Sequence, residues 1–396
     1  MAFKWWHYGA GLALASVAAI GISPIGPRLV AWGGLGSGVS AALATVVYKG
    51  KMPSRIADAT TLEAAVRLAP EGATLLLQPG PYGPIVLRNV RFGHPVTLAS
   101  ADPKRPAVLT GVELVNVDGL TFQDIEFDSD PAHGMYGFKI TKSANITLQR
   151  MFIHGTLDGN PGNDKSPLII RDSEHVKVAD CRFQELFHGI TFLNGRHFTF
   201  SGNSFRDMRT DGIRGGGASD VIVRRNVFTG FKPRPKDHPD GIQLWTTNTT
   251  APARNILIEG NLVIRGDGVP TQGIFVRDTF NQFPFEQLTI RNNAVIGGLY
   301  NAISVGGVTG GTIERNLVAG LPGQKSWIRM GIANDVDLRD NVATTYLLSK
   351  TANVREANNR KIAMPGDGGR AVLAEWLGRG DNRRQLVGQL RAAGIP

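Results

Sequence analysis

One short pattern recurs from about residue 110 to about residue 343, and it restricts the fold more than any other feature of the chain. Apolar and polar residues alternate, then Asn and one more apolar residue close the run. It reads DVIVRRNVF, NILIEGNLV, QLTIRNNAV, GTIERNLV and DVDLRDNVA in successive copies. Aligning the copies puts Asn203, Asn226, Asn261, Asn293, Asn316 and Asn341 in one column, with Ile125, Met151 and Cys181 there in earlier copies. From Cys181 onward the steps are 22, 23, 35, 32, 23 and 25 residues, a unit of 22–25 residues with insertions in two copies. Period-two alternation over so short a span predicts strands. A unit this small buries its apolar face only by stacking on its neighbours. The Asn column has a structural reason: at a bend, backbone groups need partners, and stacked Asn amides can serve both the turn and the next rung.

A second strand type precedes each of these, with Gly-Ile at a fixed place: HGITFLN, DGIRGGG, DGIQLWT, QGIFVRD and NAISVGG. Alternation then points Ile190, Ile213, Ile242, Ile274 and Ile303 inward. Residues 60–68 predict a short amphipathic helix ahead of the first coil. Residues 369–393 carry Leu373, Trp376, Leu377, Leu386 and Leu390 at helical spacing, which predicts a helical cap over the last coil, where an open end would aggregate.

These features resemble the pectate-lyase-like superfamily of right-handed parallel β-helix proteins, over residues 55–350. The resemblance implies an all-β solenoid with helical caps at both ends, residues 351–396 forming the C-terminal cap or tail. It also implies a carbohydrate-active protein, since the superfamily holds polysaccharide lyases, glycoside hydrolases, uronate epimerases and phage tailspikes. It specifies fold far better than chemistry. The paired aspartates and Gly-His-Gly of polygalacturonases are missing, as is the Asp-Pro-His-Asp run of alginate epimerases; KDHPDGIQLW has similar letters in another order.

A net charge of +10 favours an anionic partner. With no zinc-ligand cluster, P-loop or nucleic-acid signature, acidic polysaccharide is the expected partner and nucleic acid is not. A single cysteine, Cys181, excludes an internal disulfide framework. Residues 1–48 read as a signal peptide or membrane anchor: Lys4 precedes an apolar run, and a second apolar stretch ends at Tyr48. Export to the periplasm, the exterior or the membrane surface is expected.

The register also collects polar residues at one corner. Before each Gly-Ile stand His188, Asp211, Asp240, Gln272 and Asn301; one place beyond each Ile stand Thr191, Arg214, Gln243, Phe275 and Ser304; two further stand Leu193, Gly216, Trp245, Arg277 and Gly306. With coils about 4.8 Å apart, His188, Asp211 and Asp240 are expected to stack on an exposed sheet, with Arg214, Gln243 and Arg277 alongside and Trp245 and Phe275 as platforms for sugar rings. Long loops flank this place, as they do around solenoid binding sites. Lys232, Arg234, Lys236 and His238 are expected at the rim. Asp-Gly is also a common turn pair, so either aspartate could serve a turn alone.

Three chemistries fit those residue types. A lyase removes the proton beside a uronate carboxylate that Arg214, Arg277 or a metal neutralises, with His188, Lys236 or His238 as base; Asp211 and Asp240 could then hold Ca²⁺. A hydrolase uses Asp211 and Asp240 as a carboxyl pair. A binding module presents the same aromatics and carboxylates without acid–base convergence. The basic rim favours β-elimination on an acidic polysaccharide, with hydrolysis, uronate epimerisation and tailspike-like binding as alternatives.

Overall fold

The computed structural model describes residues 45–48, 55–56, 62–129 and 135–395. Its strands form two sheets of 18 and 12 strands, and between successive coils every pairing is parallel. A typical coil begins with a long strand such as Ile213–Arg224, turns at a corner, adds a three-residue strand such as Val227–Thr229, and returns by a loop. Ile190, Ile213, Ile242, Ile274 and Ile303 lie in one register, and all five are fully buried.

The corner after each long strand is made by a residue with positive φ, among them Asp180, Gly202, Arg225, Gly260 and Asn292. The Asn column follows it. Asn226 donates from Nδ2 to Phe200 O and to Asn261 Oδ1, at 3.0 and 2.9 Å, and its backbone N–H donates to the same Oδ1 at 3.0 Å. Each rung from Asn203 to Asn341 repeats this pattern, and Asn359 extends it by one. Along these rungs the backbone N–H of the Asn and one long-strand carbonyl of the coil before thus have partners. The coils run on to strand Arg360–Lys361, past the boundary at residue 350 suggested by the repeat. Inside, Phe183, Phe205 and Phe228 stack with centroids 4.7 and 4.8 Å apart.

Helix α1, Leu62–Arg67, buries Leu62, Ala65 and Val66 against the first coils. Strand Thr45–Tyr48 pairs antiparallel with Thr74–Leu77 and with Arg55–Ile56. The remainder of the segment read as a signal or anchor, residues 1–44, lies outside the described residues. No helix among the described residues is long and apolar enough to cross a membrane.

The C-terminal helices α2, Arg370–Gly378, and α3, Asn382–Ala392, do not sit over the last coil as the sequence suggested. Trp376, Leu377, Leu386 and Leu390 instead pack on Val227, Leu262, Ala294, Leu317 and Ala319, along the outside of the short-strand sheet. The reason is in that sheet: the residues after Asn226, Asn261, Asn293, Asn316 and Asn341 are apolar (Val227, Leu262, Ala294, Leu317 and Val342), so these short strands are apolar on both faces and need a cover. The last strands, Arg355–Ala357 and Arg360–Lys361, are exposed and charged, which itself discourages edge pairing.

Candidate active site

The loops that lead from the short strands back to the long ones gather at one corner, and the sequence-predicted residues lie on it. His188, Asp211, Asp240 and Gln272 stack in consecutive coils as expected, but not on an exposed face. They are 8%, 2%, 0% and 1% exposed. Two residues before an inward Ile is the inward parity, so the column turns toward the interior at the strand's first bend.

Asp240 has one carboxylate oxygen fully committed and one alone. Oδ2 accepts from His238 Nδ1 at 3.0 Å and from Gln243 Nε2 at 2.8 Å. Oδ1 is buried without a hydrogen-bond partner. Burial raises the Asp240 pKa against the pull of His238 and Gln243, and the bond to Asp240 raises that of His238. The ring of His238 is 53% exposed, rests edge-on to Phe275 at 6.0 Å, and meets the Gln272 amide through Nε2. Because Oε1 of Gln272 is buried and unpaired, this amide can turn to serve either protonation state of the imidazole.

Asp211 links the two halves of the cluster. Its Oδ1 accepts from the backbone N–H of Asp240 at 3.0 Å, and its Oδ2 lies 3.1 Å from Arg214 Nη1. Burial outweighs the Arg214 charge and pushes the Asp211 pKa up to about 7. Arg214 also donates to His188 Nε2 at 2.9 Å, and its guanidinium lies 4.9 Å from the centre of the Trp245 ring. Since arginine only donates, His188 accepts at Nε2 and is neutral, with Nδ1 against Thr210 Oγ1. Burial and the charges of Arg214 and Arg209 hold its pKa well below the usual histidine range. His188 therefore positions Arg214 and is not placed to serve as a base.

The rim differs from expectation. Lys232 turns to Asp207, with Nζ 3.1 Å from Oδ1, in place of lining the corner. Lys236 is exposed and makes no ion pair among the described residues. The loop is pinned by two residues the sequence did not single out for this: Arg209 grips Asp237 at 2.8 and 3.1 Å and covers the Phe187 ring at 4.5 Å. Arg277 is exposed in the register place next to Trp245 and has no ion pair among the described residues. Beyond it, Asp278 ties the long loop by accepting from Thr246 Oγ1 at 2.7 Å and from Phe283 N at 3.0 Å. Its position directly after Arg277 was the available signal.

The donor set does not suit Ca²⁺, which takes six to eight oxygens. Asp211 and Asp240 are enclosed, three of their four oxygens are already bonded, and no group of three acidic, His or Cys side chains that could hold a metal occurs among the described residues.

Stacked parallel coils, with an Asn-lined corner and a polar corner, make the fold a right-handed parallel β-helix. Residues 107–263 match the family model described as a right handed beta helix region. No curated protein matches the chain in sequence. Among solved structures, the periplasmic alginate epimerase AlgG is similar at 12% identity, over 78% of this chain and 89% of that one, with a TM-score of 0.47. An alginate lyase from Paenibacillus sp. str. FPU-7 gives 14%, 77%, 97% and 0.43. The Streptococcus pneumoniae surface adhesin PfbA gives 12%, 75%, 93% and 0.45. The chemistry of this chain has to be argued from its own residues.

Proposed function

We propose that the protein is a carbohydrate-active enzyme that cleaves an acidic, uronate-containing polysaccharide by β-elimination. The observation that carries this is the layering of charge at the corner. The groups open to a ligand are His238, Arg214 and Arg277, with Gln243, Trp245 and Phe275 between them, while both carboxylates lie underneath. An anionic sugar meets cations and flat apolar faces there. A hydrolase acting through Asp211 and Asp240 would need those acids to reach a glycosidic oxygen, and both are enclosed.

In this reading Arg214 and Arg277 bind the uronate carboxylate, which acidifies the adjacent C–H. Neutral His238, oriented through Nδ1–H on Asp240, takes that proton at Nε2 as the Gln272 amide gives way. The C–H electron pair forms the new carbon–carbon double bond, and the C–O bond to the leaving sugar breaks. The leaving oxygen collects a proton from water or from the imidazolium. The test is incubation with uronate polysaccharides, following ultraviolet absorbance of the unsaturated end. New reducing ends without that absorbance would indicate hydrolysis, inversion of the sugar without cleavage would indicate epimerisation, and saturable binding without turnover would indicate a binding module.

A further inference from the structure

A cavity lies away from that corner, where the turn between α2 and α3 crosses the Asn-ladder bend. It holds about 390 Å³ and is lined by Arg225, Arg291, Arg315 and Arg379, with Glu259 and Asp381 as its acids. Its origin is a missing rung. The bend column runs Arg225, Gly260, Asn292, Arg315, all with positive φ, and Gly260 contributes no side chain. A Cβ there would meet only Arg225 Cγ, at 3.7 Å, so the notch is open space. The helical turn that bridges it is also side-chain-free at Gly380.

The charges are not balanced within this notch. Arg291 is paired with Glu259 at 2.6 Å, but Arg225 has no ion pair among the described residues. Arg315 and Arg379 reach Glu314 and Glu375, which do not line the cavity, through single contacts of 2.6 and 2.7 Å. Asp381 is engaged by Arg384 at 2.7 Å and gives no side-chain cap to α3, whose eleven-residue helix starts at the cavity with no acidic residue in its first turn. Each guanidinium has five N–H donors, so one carboxylate contact apiece leaves most of them open. The α3 dipole adds to the same sign.

The geometry points to an oxyanion-binding site at this notch, suited to a phosphate, sulfate or carboxylate group, either as a free ion or borne on a sugar. It does not depend on the lyase reading, because it shares no residue with the Asp240 corner. Isothermal titration of the full chain with inorganic phosphate, sulfate, glucose 6-phosphate, glucuronate and glucose, at matched ionic strength, would test it. Saturable binding of at least one anion and none of glucose is expected. The anion should bind at least about tenfold more weakly to an Arg225→Gln/Arg315→Gln double variant of unchanged thermal stability. Arg214→Ala, which alters the other corner, should leave this binding intact. Tighter binding of the sugar-borne anion than of the free ion would assign a glycan source, and the reverse a free ion. No saturable anion binding, or equal binding to the double variant, would overturn the proposal.

Discussion

The fully enclosed carboxylate of Asp240 holds the half-exposed imidazole of His238 by its Nδ1, at 3.0 Å. This bond fixes which ring nitrogen faces outward and raises the pKa of His238. A base must be neutral to accept a proton, so turnover should climb as pH rises through that elevated pKa. Asp240→Asn keeps the size and removes the charge. Its acid limb should move to lower pH while kcat falls by about 100-fold or more. A pH–rate profile for both proteins checks this; an unmoved limb would remove His238 from the role.

Asp211 makes a prediction about stability. Its folded pKa, about 7, lies above the unfolded value of 3.8. A group raised on folding contributes stability that is complete below the unfolded pKa and is lost as pH rises through the folded one. The stability of the wild type relative to Asp211→Asn should therefore decline between about pH 4 and about pH 8. Taking the difference between the two proteins removes the opposite effect of His188, whose pKa is depressed. Denaturant midpoints across that range would show it.

Arg277 separates binding from architecture. It is exposed and bears no ion pair among the described residues, so Arg277→Ala should change stability by less than about 0.5 kcal/mol. It should raise KM for an acidic substrate severalfold. Arg214→Ala should do more damage, because Arg214 also satisfies Asp211 and His188. Equal KM values for wild type and Arg277→Ala would move the carboxylate-binding role elsewhere.

At the opposite bend, Asn261→Leu strands the backbone N–H of Asn226 and the carbonyl of Val223, which Asn261 now satisfies. The cost should be about 1–3 kcal/mol, read from urea unfolding. A neutral substitution would mean that the amide stack does not serve the turns.

The coil architecture was legible because both its signals are periodic: from residue 189 to residue 341 Gly-Ile (Ala-Ile in the last copy) and the terminal Asn recur at the same two places, and Ile213 and Asn226 sit where alternation puts them. The side of the bend was harder. Asp211 and Asp240 are two residues from an inward Ile, yet their charge suggested the surface; the partners that make burial tolerable, Arg214, His238 and Gln243, come from loop and neighbouring positions. Lys232 was assigned to the rim by charge alone, and only the fold reveals Asp207 within its reach. The apolar residue after the Asn from Asn226 onward was visible in NVF, NLV and NAV, but what it packs against, α2 and α3, is more than a hundred residues away in the case of Val227.

That distance has a consequence for how the molecule comes apart. A simple solenoid melts from its ends, since each coil touches only its neighbours. Here Arg206 donates to Ala393 O and Gln389 donates to Gly202 O, each across 187 residues of chain. The terminal hairpin thus works as a strap that joins coils far apart in sequence, so fraying of the last coils is opposed by contacts with the middle. The same strap can dock only after residues 370–393 have been synthesised, later than the coils it covers, which leaves the outer faces of Val227, Leu262 and Leu317 uncovered until then.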